Sequence, residues 1–170
     1  MINKITIFII FLFTMLLGGK LFSAQIRIEA YGMDKYFNYN VDKERQFITY
    51  SNEGLYMTDI GISGVIECKG IIEVIDKRTS SNIMCKYTEE NGDNFFAQFF
   101  VQRGTSGDAT VQSFEFVSAT GRWEEMLGKK CIGAYTSMQQ KRFMWQGKCD
   151  ISDTTLERVK NYLYFFYEEI

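Results

Sequence analysis

The chain of 170 residues contains no histidine and no proline. Without histidine there is no Ser-His-Asp or Cys-His arrangement, and no side chain whose ordinary pKa lies near neutrality. Without proline, no peptide bond is a natural candidate for the cis form. Proline is also missing as a guard for exposed strand edges. No Asn-x-Ser/Thr sequon occurs, so nothing marks a site of N-glycosylation. Charge of one sign never accumulates, because 19 basic and 21 acidic residues are scattered along the sequence. With no basic patch, nucleic acid is not an expected partner.

One long apolar run is present, Ile5 to Leu17 (ITIFIIFLFTMLL), behind the positive Lys4. It falls short of the roughly 18 residues that a membrane-spanning helix takes and has the length of a secretory h-region. Residues 1–24 therefore read as a signal peptide cleaved after Ala24. An uncleaved N-terminal anchor is the alternative, because Phe22 is bulky where a small residue is favoured. No cysteine follows the run, which excludes a lipoprotein anchor. The expectation is a secreted or periplasmic protein without membrane association after cleavage. Residues 25–170 then form one domain, large enough to bury about 68–70% of its unfolded surface.

Export changes the meaning of the four cysteines, Cys68, Cys85, Cys131 and Cys149. None has C-x-x-C spacing and no histidine assists them, so a zinc site is a poor account and two disulfides a good one. The midpoint between Cys68 and Cys85 falls within the turn signal DKRTS (Asp76 to Ser80), and that between Cys131 and Cys149 within MQQK (Met138 to Lys141). Folding each segment back on itself opposes the two cysteines across antiparallel strands, at a Cα separation that a disulfide tolerates. The expected pairs are 68–85 and 131–149.

From Gln25 onward strand patterns dominate. IRIEAY alternates, and RQFITYS is followed by a turn signal, NEG, and then LYMTDIGI. In GVIECKGIIEVID, residues Ile66, Cys68, Gly70, Ile72 and Val74 share the drier face, with Glu67 and Glu73 opposite. Ile83, Cys85 and Tyr87 group likewise, and the Asn-Gly of ENGD marks a type I′ hairpin into Phe95, Ala97, Phe99 and Val101. GTSGDA is a loop; TVQSFEFVSAT, GKKCIGAYTS and FMWQGKCDI are strands. In the last two, Cys131, Gly133 and Tyr135 share a face, as do Phe143, Trp145, Gly147, Cys149 and Ile151. The period then changes: Ser152, Asp153 and Thr154 are N-cap candidates, and Thr154 with Glu157 fits a capping box. Leu156, Val159, Leu163, Phe166 and Tyr167 form the apolar stripe of an amphipathic helix within residues 152–170, about 14 residues long and packed on the barrel.

Short strands at even spacing, with glycines inside three of them (Gly70, Gly133 and Gly147), predict a closed antiparallel β-barrel of about 8 strands over residues 25–151, followed by that helix. The segment FVSATGRWEEMLGKKCIGAY resembles the strand–turn–strand segment of allene oxide cyclase-like barrels, which include plant dirigent proteins and bacterial relatives. Thr120, Gly121, Arg122, Trp123 and Gly128 match the family's frame; Ser118 and Ala119 stand where it usually carries two glycines. The resemblance extends over roughly Ile62 to Ile151. Physically, Gly121 permits a tight turn, Trp123 plugs one end of the barrel, and Gly128 lets the chain re-enter the sheet.

Three functional readings follow. The first is a non-enzymatic barrel that binds a small molecule or a protein, with Tyr87, Phe99, Tyr135 and Trp145 lining its interior. Against a cavity stands the tendency of small barrels to be filled by side chains, and the filled core is the expectation. The second reading, implied by the resemblance, is a cofactor-free cyclase or isomerase acting on a small hydrophobic substrate. Its candidate carboxylates, Glu67, Glu73 and Glu115, all lie on outward faces. The third is an interaction protein that docks through the aromatic C-terminal segment or a strand edge. No cofactor or metal is expected, and ENGD lacks the ligand repeat of a calcium loop.

Overall fold

A computed structural model describes residues 23–76, 78–101 and 109–162. Eight strands follow one another in a meander: β1 (Ser23–Asn40), β2 (Arg45–Thr58), β3 (Ser63–Ile75), β4 (Arg78–Glu89), β5 (Asn94–Val101), β6 (Ala109–Ala119), β7 (Lys130–Met138) and β8 (Arg142–Ser152). Each pairs antiparallel with its neighbours, and β8 returns to β1, so the barrel is closed and has no free edge. The two-residue period decides what faces inward. Along β8, Phe143, Trp145, Gly147, Cys149 and Ile151 are buried and alternate with more exposed residues. An extra residue in β6 interrupts the pairing with β5, where Phe96 opposes Ser118 but Ala97 opposes Phe116. This bulge lets Phe116 and Ala119, three residues apart, both pack on the core.

Both disulfides form as the turn symmetry requires. Cys68 and Cys85 are direct partners across β3 and β4 with Cα atoms 4.0 Å apart. Cys131 and Cys149 join β7 to β8 at 4.5 Å.

Three local expectations are corrected. The segment NEG is no turn: Asn52, Glu53 and Gly54 lie within continuous β2, opposite Asp34, Met33 and Gly32 of β1. The β2–β3 reversal comes later, where Thr58 accepts the N–H of Gly61 and Gly61 holds the positive φ of 83°. The ENGD hairpin is not type I′, because of its residues only Gly92 has positive φ. Glu89 accepts the Gly92 N–H at 3.1 Å and donates its own N–H to Asp93 at 2.8 Å, which makes a three-residue loop ending in a left-handed glycine. Finally, the N-cap of the terminal helix is Ser152, whose hydroxyl accepts the Thr155 N–H at 3.1 Å, and not a Thr154–Glu157 box. This helix, α1, spans Asp153–Lys160. Val159 is buried and Leu156 packs against the core, as the stripe predicts. Leu163, Phe166 and Tyr167 lie outside the described residues, as do the apolar run and the GTSGDA loop up to Asp108. β1 opens at Ser23, so Ala24, the last residue of the expected leader, lies within it and pairs with Ile151.

One end of the barrel is sealed by the Gly121–Met126 3₁₀ segment and α1. Trp123 and Met126 are fully buried there, with the indole 4.5 Å from the ring of Phe95. Gly121 has a φ of 60° and no room for a Cβ beside the Asp93 carboxylate. Below Trp123, its indole N–H donates to the Glu89 carboxylate. Arg122 lies 3.5 Å from the same carboxylate, as an ion pair rather than an aligned hydrogen bond, and donates to the Val159 carbonyl at 3.4 Å. That carboxylate's pKa is raised by burial, against which Arg122 and the Trp123 indole act.

Candidate functional site

The other half of the barrel is hollow. A cavity of about 450 Å³ runs from Tyr87, next to the plug, to Thr79 and Thr110 near the opposite end. The expectation of a filled interior is therefore corrected. The reason is visible in the inward positions: β3 and β7 carry glycines (Gly70, Gly133) on the inner face, and the space beside Gly133 takes the Trp145 ring, which keeps it against the wall.

Tyr87, Phe99, Tyr135 and Trp145 all line this cavity. Phe99 stacks on Phe114 at 5.1 Å, and Trp145 meets both edge-on. Tyr87 is stacked on Phe95 at 4.3 Å. The carboxylates considered from the sequence are elsewhere. Glu67 and Glu73 are exposed on the outer face, and Glu115 faces outward with Lys130 4.0 Å away. Thr120, Gly121, Arg122, Trp123 and Gly128 belong to the sealed end; the Thr120 hydroxyl accepts the Asn94 N–H at 2.9 Å, and none of the five touches the cavity.

A carboxylate missed from the sequence stands behind the cavity wall. Asp34 faces inward from β1 and is 1% exposed. Tyr50 of β2 donates to its Oδ1 at 2.9 Å, while Tyr135 of β7 donates to Oδ2. Tyr36 lies 3.3 Å from the same Oδ2 and 2.8 Å from the Tyr135 hydroxyl. Asn52 donates to the Tyr50 oxygen at 2.7 Å. Burial raises the Asp34 pKa, and the three phenolic donors act against that shift without cancelling it. Burial also pushes Tyr36 up to about 12 and drives Tyr50 and Tyr135 well above the ordinary phenol value, with Asp34 adding to each rise. At neutral pH the three phenols are protonated and act as donors to one carboxylate.

Polar groups without partners surround the cavity. The Asn52 Oδ1 and the Trp145 indole N–H are buried and unpaired. Gln112 of β6, 8% exposed, lines the cavity, and its side chain makes no hydrogen bond among the described residues. Among those residues no three carboxylate, cysteine or histidine side chains gather as a metal site would require. No protein-family model matches the chain, and no curated protein is significantly similar to it.

The parity of β1 was the signal for the missed residues. Ile26, Ile28 and Ala30 face inward, and continuing by twos leads through Gly32 to Asp34 and Tyr36.

Proposed function

We propose that this is an exported, disulfide-stapled barrel that binds one small, largely apolar molecule in its interior. The observation that carries the reading is the cavity of about 450 Å³, walled by Ile, Phe, Tyr and Trp side chains with a few polar groups among them. That volume and chemistry are those of small-molecule sites. Export is supported by the N-terminal apolar run and by two disulfides in a chain with no free cysteine. Membership of the allene oxide cyclase-like barrels is part of the same proposal. It rests on the Thr120–Trp123 turn, which joins the antiparallel strands β6 and β7.

Binding is favoured over conversion of the ligand. Asp34, the inward-facing carboxyl group of β1, does not line the cavity, and Tyr50 and Tyr135, which do, donate to its two oxygens and stand between it and a ligand. The phenols are too weakly acidic to give up protons near neutrality.

Titration with the fluorescent neutral probe phenylnaphthylamine tests the reading. A saturable, single-site rise in emission is expected, and it should vanish in Thr110→Trp, which fills the cavity, while thermal stability is retained. An unsaturable rise, or an equal rise in the variant, would count against an interior site.

A further inference from the structure

The ligand's charge and its hydrogen-bonding group follow from the way the cavity disposes its protons. Among the described residues, no Lys, Arg, Asp or Glu side chain lines it. The carboxyl group nearest to it among those residues, Asp34, is covered by tyrosines that donate to it. Tyr50 and Tyr135 each have a single hydroxyl proton, and both go to Asp34. Tyr36 turns its own proton toward Tyr135 or Asp34. What this cluster presents to the cavity is therefore oxygen lone pairs.

An ionised carboxylate entering here would lose its water, find no counter-ion among the described residues and face the phenol oxygens. An ammonium group would find acceptors but no contact with a carboxylate oxygen, since Asp34 does not line the cavity. Its desolvation would be offset only in part.

Strand β6, which pairs with the strand that carries Tyr135, supplies an anchor for a neutral polar group. Gln112 stands directly across from Gly133 on β7. Gly133 in turn lies beneath the Trp145 ring, with the indole nitrogen 2.8 Å from where a Cβ would be. A primary amide with an unused donor and an unused acceptor thus faces the cavity among Phe99, Val101, Thr110 and Trp145, the last with an unpaired indole N–H.

Resting on the binding reading above, we infer that the ligand is an uncharged, mainly apolar molecule with a hydroxyl, carbonyl or amide group held by Gln112.

Four matched probes separate the two claims by calorimetry at pH 7: naphthalenemethanol, naphthoate, naphthylmethylammonium and methylnaphthalene. The alcohol should bind about tenfold or more tightly than either ion, because only it avoids burying an unpaired charge. Gln112→Leu should weaken the alcohol about fivefold, the size of one net hydrogen bond, and leave methylnaphthalene unchanged. An ion that binds as tightly as the alcohol, or an alcohol indifferent to Gln112→Leu, would overturn the inference while the interior site stands. If none of the four binds, methylnaphthalene included, the binding reading fails and this inference fails with it.

Discussion

The indole of Trp145 occupies the space that a side chain on Gly147, two residues along the same face, would need. A Cβ on Gly133, across the β7–β8 ladder, would likewise lie 2.6 Å from the ring. The two glycines together form the recess in which the indole lies flat against the wall, so the cavity owes its width to both. Gly147→Ala should destabilise the barrel by about 1–3 kcal/mol, the usual cost of overpacking. In Trp145→Phe the same replacement should cost less. A double-mutant cycle by urea unfolding checks this, since purely additive effects would deny the contact.

Asp34 makes the stability of the barrel depend on pH with a definite sign. Its folded pKa lies above the ordinary 3.8, chiefly through burial. The folded state therefore holds the proton more tightly than the unfolded state, and the contribution is greatest below 3.8 and is lost as pH rises through the raised value. Glu89, raised from 4.5, adds a change of the same sign. The stability of wild type minus that of Asp34→Asn should thus fall with rising pH across that window, and Glu89 cancels from the difference. Chemical unfolding of both proteins from pH 3 upward measures it. A difference that rises with pH would mean that the tyrosines outweigh burial.

Arg122 holds the sealed end together from within. Its side chain and that of Glu89 are 13% and 7% exposed, and Arg122 also reaches the Val159 carbonyl of α1. Arg122→Ala leaves the carboxylate with the Trp123 indole alone and should cost about 3 kcal/mol, at the low end for breaking a buried pair. Arg122→Ala combined with Glu89→Gln should recover part of the loss. Thermal unfolding of the two variants gives the comparison.

The disulfides close segments of similar length, 17 and 18 residues apart in sequence. Replacing either pair by serine should lower stability by about 3 kcal/mol on the chain-entropy account. The two losses should be alike despite their different places on the barrel. Denaturant midpoints of the two double variants check this.

Much of the barrel was legible because its strands obey a two-residue period with few interruptions. The cysteine pairs followed from nothing more than turn symmetry, and Tyr87, Phe99, Tyr135 and Trp145 were placed inward by parity alone. The hollow interior was not legible, since the same aromatic residues fill one barrel and line another; the difference lies in three-dimensional spacing. Asn52 and Gly54 read as a turn because these residue types favour turns. Here a buried amide bonded to Tyr50 and a close β1–β2 approach keep them in the ladder instead. Asp34 was hidden in YGMDKYFNYN, a stretch too polar to announce a strand by composition.

Both covalent links lie within hairpins, β3–β4 and β7–β8, while the ladder that closes the ring joins the first strand to the last. Along that seam Gln25 donates to Asp150 at 2.6 Å across 125 residues of sequence. Each hairpin can fold and oxidise as soon as its own residues are available. The ring cannot close until β8 exists, and closure over so long a loop is slow. Up to that moment the chain is an open sheet with bare edges on β1 and on its most recent strand, each able to pair with another copy. The seam is therefore where folding finishes, and where crowding before closure would turn a closed barrel into joined sheets.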